Sequence, residues 1–133
     1  MLHKEITGEI IGCAMEVHRT LGPGFQEYVY QRALEIEFDK NNIKHSREFE
    51  IKIYYKGEYI ALRRVDFLVK ELITVELKAR SEIEGTHWAQ AINYLESSSY
   101  PVGLLINFGA PSLQFKRLFN KKFPHNQLKS YES

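Results

Sequence analysis

The residues of this chain best suited to chemistry are Asp66, Glu76 and Lys78, two acids and an amine carried by the stretch Ala61–Arg80, ALRRVDFLVKELITVELKAR. Apolar residues alternate there as Val65, Phe67, Val69 and again as Ile73, Val75, Leu77, with Lys70, Glu71 and Leu72 between them, which predicts a β-hairpin. Side chains two apart on a strand share a face, so Glu76 and Lys78 point together, away from Val75 and Leu77. With the hairpin centred on Glu71, Asp66 falls directly across from Glu76. Cross-strand Cβ atoms lie roughly 4.5–5.5 Å apart, a separation at which two carboxylates can share one divalent cation. A slip of one residue would move Asp66 to the other side of the sheet.

Like charges facing one another across a sheet destabilise it by up to about 1 kcal/mol unless a cation neutralises them. Mg²⁺ or Mn²⁺ would do so, since both take oxygen ligands, keep several waters and bind through one or two carboxylates plus substrate phosphate. Lys78 beside such an ion would orient or deprotonate a water, or steady negative charge on a phosphate. A solvated hairpin face carrying an ordinary mixture of charges has the same pattern. In this register Arg64 opposes Lys78, and two cations side by side make sense next to an anion. Arg63, Arg64, Lys78 and Arg80 gather on the hairpin, and Lys116, Arg117, Lys121 and Lys122 near the carboxyl end. The net charge of +1 says nothing by itself.

Several elements must position these residues. Ile6, Ile10, Cys13, Ala14, Val17 and Leu21 follow helical spacing, and Gly22-Pro23-Gly24 ends that helix. His18 sits at the edge of the stripe, where a hydrogen-bonding role is the ordinary one. A second helix opens after Gly24 and runs to about Asn41 or Asn42, with Tyr30, Ala33, Leu34 and Phe38 inward. Glu27 falls in its first turn, where the helix dipole favours a carboxylate by about 0.3–1 kcal/mol, and Tyr30 shares its side. Phe49 to Tyr55 reads as a strand, with Lys56-Gly57-Glu58 turning into the strand that carries Asp66. Thr86 to Ser98 reads as a third helix with Trp88, Ala91, Ile92 and Leu95 buried and Gln90 and Tyr94 on another face. Val102 to Phe108 suits a buried strand lying parallel to the Glu76 strand. Pro111 to Asn120 is a short element of open type.

The order Asp66, then Glu76-Leu77-Lys78 on the next strand, resembles the PD-(D/E)XK nuclease signature, with Val65 where the motif's name has proline. Taken with Gly24-Phe25-Gln26-Glu27-Tyr28-Val29-Tyr30, with Gln90 and Tyr94, and with the Val102–Gly109 run, the chain resembles the GxxExxY protein family, assigned to the RecB-like branch of that superfamily, from about Ile6 to Asn120. The resemblance implies an α/β, restriction-endonuclease-like fold: a mixed sheet of four to five strands flanked by helices. It implies metal-dependent hydrolysis of a nucleic-acid phosphodiester, DNA before RNA. Asp66, Glu76 and the Leu77 carbonyl would hold Mg²⁺ or Mn²⁺, with Glu27 completing the shell and His18 a further candidate ligand. Lys78 would serve the nucleophile, and Gln90 with Tyr94 the scissile phosphate.

Length and composition set the outer bounds. A chain of 133 residues makes one domain, here residues 1–120, followed by a polar tail over 121–133 expected to be mobile. Hydrophobic content of 44% with 26% charged residues excludes a disordered or membrane-spanning chain. No apolar run nears the roughly 18 residues of a spanning helix, and MLHKEITGEI has no signal-peptide core, so the cytoplasm is the expected compartment. Cys13 stands alone, which excludes an intrachain disulfide or a cysteine-based zinc site. The rival reading is a non-catalytic module that keeps the fold and binds nucleic acid or protein; a protein partner or a homo-oligomer stays open.

Overall fold

A computed structural model of the chain describes residues 3–123 and the backbone of 131–132. The described residues form α1 (Lys4–Leu21), α2 (Glu27–Lys40), β1 (His45–Tyr55), β2 (Glu58–Val69), β3 (Ile73–Lys78), α3 (Gly85–Glu96), β4 (Val102–Asn107), β5 (Gln114–Phe119) and the two-residue β6 (Tyr131–Glu132). The strands lie in the order β1-β2-β3-β4-β5-β6 in one sheet. All neighbours are antiparallel except β3 and β4, which run parallel through the α3 crossover. The architecture is the mixed α/β sheet flanked by helices that the sequence implies. The open element after Pro111 is a strand, and β6 adds a short sixth. The expected mobile tail falls largely on 124–130 and 133, outside the described residues.

Two cores build on opposite faces of the sheet. On one, Ile10, Ala14 and Val17 of α1 and Tyr30, Leu34 and Phe38 of α2 pack against Phe67, Val69, Ile73, Val75, Leu77, Leu104 and Ile106. On the other, Ala91 and Leu95 of α3 cover Leu105 and Leu118. Cys13 is buried in the first core. No helix of the described residues is long and apolar enough to cross a membrane. The basic residues near the carboxyl end do not form one patch. Lys116 lies over the Trp88 ring at 4.8 Å, Arg117 Nε donates to Thr7 Oγ1 at 3.0 Å, and Lys121 reaches Glu96.

The exit of β3 is clamped. Asn107, fully buried, accepts from the Arg80 and Gly109 amides and donates to the Arg80 carbonyl and to Gln114, while the Phe108 amide donates to the Lys78 carbonyl. Gly109 has to be glycine, because a Cβ there would lie 2.4 Å from the Arg80 backbone. At the other end of β3 the Leu72 amide closes a turn onto the Val69 carbonyl, with Lys70 and Glu71 both left-handed at φ 51° and 59°. This is the φ pattern of a primed hairpin turn, favoured by the sheet's twist but adopted reluctantly by residues with a Cβ. The double substitution Lys70→Asn/Glu71→Gly is therefore expected to stabilise the fold by about 1 kcal/mol, read as a higher urea midpoint with unchanged m-value; a lower midpoint would contradict this account of the turn.

Candidate functional site

The site lies where β2 and β3 part. Their ladder pairs Phe67 with Val75, Leu68 with Thr74 and Val69 with Ile73, the register centred on Glu71, and goes no further. At the next step Asp66 turns its carboxylate into the opening. Its Oδ2 accepts the Leu77 amide at 2.8 Å and its Oδ1 accepts Gln31 Nε2 at 2.9 Å. Side-chain oxygen has replaced the neighbouring strand as acceptor for that buried N–H. Around the opening a pocket of about 240 Å³ is walled by Glu27 and Gln31 of α2, Glu48 of β1, Arg63 to Asp66 of β2, and Glu76, Leu77 and Lys78 of β3.

Glu27 reaches the pocket because the chain before it is pinned. Tyr30, fully buried and stacked on Phe108 at 4.7 Å, donates its hydroxyl to the Gly22 carbonyl and accepts the Phe25 amide. Gly22 and Gly24 supply the positive φ angles of that turn. Tyr30 thus packs and positions, while Glu27, at the first residue of α2, faces the acids.

All three acids are held above their ordinary carboxylate range, in each case chiefly by burial. For Asp66 the Leu77 amide, Gln31 and Lys78 work against that rise, and Glu48 adds to it. For Glu76 the Arg63 guanidinium opposes it most, then Lys78, with Asp66 adding. Lys78 and Arg80 lower Glu27 while Asp66 and Glu76 raise it. Lys78 is thus the cation common to all three.

The strongest partner of Glu76 is Arg63, and Arg64, expected opposite Lys78, is not paired with it, since the β2–β3 ladder ends at Phe67 and Val75. Arg63 Nη2 donates to Glu76 Oε2 at 2.5 Å, its guanidinium lies 4.1 Å from the centre of the Tyr94 ring, and its buried Nε has no hydrogen-bond partner among the described residues. Arg64 instead approaches Glu50 at 3.9 Å on the exposed side. The cause is Glu48, whose φ of 56° breaks the alternation of β1 opposite Asp66. Arg47 pairs with Glu35 of α2, yet Phe49, of the same parity, packs edge-on against Tyr100 on the α3 side. Beyond this break Arg63 of β2 lies against Tyr94 of α3, while Arg64, largely exposed, stands at the rim of the pocket.

Asp66, Glu76, Leu77, Lys78 and Glu27 therefore meet in one pocket. Tyr94 joins through Arg63. Gln90 is exposed on α3 and does not line the pocket. His18 is not brought there either; its Nε2 lies 2.9 Å from the Ala110 carbonyl oxygen, and its ring packs near Phe108. Gln31, Arg63 and Glu48 are site residues that the sequence pattern passes over. Gln31 had a signal, being one helical turn beyond Glu27. His87 accepts the Glu84 amide at the start of α3.

The donor set is oxygen only, which suits a hard divalent ion. Among the described residues no three His, Cys, Asp or Glu side chains stand ready around one ion. That is compatible with Mg²⁺ or Mn²⁺, which need one or two carboxylates and fill the remaining positions with water and phosphate. The site fits such an ion, provided that Arg63 yields Glu76 to it.

A family model described as the PD-(D/E)XK nuclease superfamily matches residues 4–118. No curated protein and no solved structure matches the chain.

An acid whose pKa is raised on folding binds protons more readily in the folded state. Its contribution to stability is fully present below its unfolded value and is lost as pH rises through the raised one. For Glu27 the window lies above the ordinary 4.5. In EDTA, Glu27→Gln should melt higher than the parent protein at pH 7, and the gap should close on acidification toward pH 4.5. Equal melting temperatures at neutral pH would show that Glu27 is not strained by the pocket.

Proposed function

Because the chain belongs to the PD-(D/E)XK nuclease superfamily, we propose that it hydrolyses phosphodiester bonds of nucleic acid with Mg²⁺ or Mn²⁺ held at the opening between β2 and β3. The observation that carries this reading is the convergence of Asp66, Glu76, Lys78 and Glu27 on one small pocket, where half-buried Asp66 and Glu76 and the more exposed Glu27 all feel the same lysine. A divalent cation bound there lowers the pKa of a bound water and offsets charge on the phosphate oxygens.

Asp66 and Glu76 would hold the ion, with the Leu77 carbonyl and Glu27 completing its surroundings. Asp66 keeps its orientation through Gln31 and the Leu77 amide, which use one lone pair on each oxygen and leave others for the pocket. Lys78 would steady the attacking water and the charge that grows on phosphorus oxygens. Arg63 neutralises Glu76 until the ion arrives, and Tyr94 supports the guanidinium from below. Gln90 is assigned to phosphate contact from α3. His18 has no part in this reading, its ring nitrogen being taken up by Ala110.

One observation favours the rival, a binding module without catalysis: the Arg63–Glu76 pair already balances one acid. The two readings separate experimentally. Labelled single- and double-stranded DNA and RNA incubated with Mn²⁺ should be cut, with Asp66→Asn lowering the rate by at least about 100-fold. Lys78→Ala should lose cleavage yet retain Mn²⁺ binding by calorimetry, while Arg63→Gln should bind Mn²⁺ at least as tightly as the parent. Absence of cleavage on every substrate, together with no detectable Mn²⁺ binding, would establish the module without catalysis.

A further inference from the structure

The β1–β2 ribbon continues well past the rest of the sheet. β2 pairs with β3 only over Phe67–Val69, whereas the β1–β2 ladder runs from His45↔Val69 to Tyr55↔Glu58. Among the described residues, 49–65 therefore form a two-stranded arm with no third strand. It springs from the pocket, since Arg63, Arg64, Val65 and Asp66 line the one and begin the other. At about 3.3 Å per residue, Tyr59 stands roughly 17 Å out from Arg64.

The outer part of this arm is built unlike an ordinary solvated hairpin. Tyr54, Tyr55 and Tyr59 are each more than half exposed, at 54%, 59% and 55%, and Ile60 is 62% exposed beside them. Tyr54 opposes Tyr59 across a bulge, their ring centres 6.1 Å apart. Two lysines serve these rings: Lys52 Nζ lies 5.8 Å from the Tyr59 centre and Lys56 Nζ 5.3 Å from the Tyr55 centre. Over residues 50–64 the basic Lys52, Lys56, Arg63 and Arg64 outnumber the acidic Glu50 and Glu58.

We infer that this arm is a stacking platform for single-stranded nucleic acid, laying unpaired bases on Tyr54 and Tyr59 and phosphates against Lys52 while it leads the strand into the Asp66 pocket. Exposed aromatic rings beside cations are the recurring means of holding single strands, because every base offers a ring face whatever the sequence. A two-stranded ribbon also fits a duplex major groove, but base edges there are read by Arg, Asn, Gln and other hydrogen-bonding side chains in bidentate pairs. The tip of this arm offers tyrosines and Ile60 instead. The choice of nucleic acid as the occupant rests on the reading of the pocket under Proposed function; the aromatic and basic design of the arm does not.

The test is fluorescence anisotropy on the full chain in EDTA, with labelled 20-nucleotide oligo-dT, oligo-U and a duplex of equal length. The parent should bind at least one of the single strands about ten-fold or more tighter than the duplex, and Tyr54→Ala/Tyr59→Ala should weaken that binding by about 5- to 100-fold. Tyr54→Phe/Tyr59→Phe should restore most of it, since the ring and not the hydroxyl does the stacking. If that pattern appears and no form of the protein cleaves, the arm's role stands and hydrolysis falls. Equal affinity for duplex and single strands would overturn the inference, as would an alanine variant that binds undiminished. So would a parent that self-associates in sedimentation through these tyrosines without binding either oligonucleotide.

Discussion

The arrangement of the molecule depends on one hydrogen bond, from the Leu77 amide to the Asp66 carboxylate. A sheet normally satisfies each buried amide with the strand beside it, and parting two strands leaves donors without acceptors. Here the parting is sealed by the Asp66 carboxylate itself. The same act that opens the sheet anchors the acid, and Gln31 from α2 fixes the remaining carboxylate oxygen. Because Leu77 is itself buried in the core beneath α1 and α2, Glu76 and Lys78 on either side of it must face the opening. The apolar core thus sets the direction of the polar groups.

Burial decides the electrostatics that follow. Asp66 and Glu76 sit half-buried with Glu27 at the more exposed edge, and in each the loss of hydration outweighs the nearby cations. A pocket of this kind is electrostatically unfinished. Arg63 shows how it is partly completed: a guanidinium on a tyrosine ring, bound to Glu76, with its own Nε left without a partner among the described residues. An arrangement in which the counter-charge is incompletely satisfied is readily exchanged for a better one.

Much of this was legible in the chain. Alternation placed the hairpin and its centre, because a two-residue period tolerates no slip where one face is buried, but the ladder stops one step short of the expected pairing of Asp66 with Glu76. The stripe along α3 and the parallel β4 were equally readable from their apolar spacing. What strand parity missed was the placing of Arg63 beside Glu76. Nothing at Glu48 announces a left-handed backbone, since the residue is neither glycine nor asparagine, and such a break interrupts the alternation on which parity relies. Long-range contacts hid the rest. The attachment of His18 to Ala110 and the clamp from Asn107 to Arg80 join segments far apart in sequence, where spacing carries no information.

The hydroxyl of Tyr30 gives the stretch from Gly22 to Tyr30 the character of a ruler. One end is a carbonyl in a glycine turn, the other a ring locked on Phe108, and Glu27 is a graduation between them. A helix advances about 100° with each residue. Inserting or deleting one residue between Glu27 and Tyr30 would therefore swing the carboxylate roughly a quarter-turn out of the pocket, even if every side chain kept its identity. Variation in this stretch is then limited more by its length than by its composition.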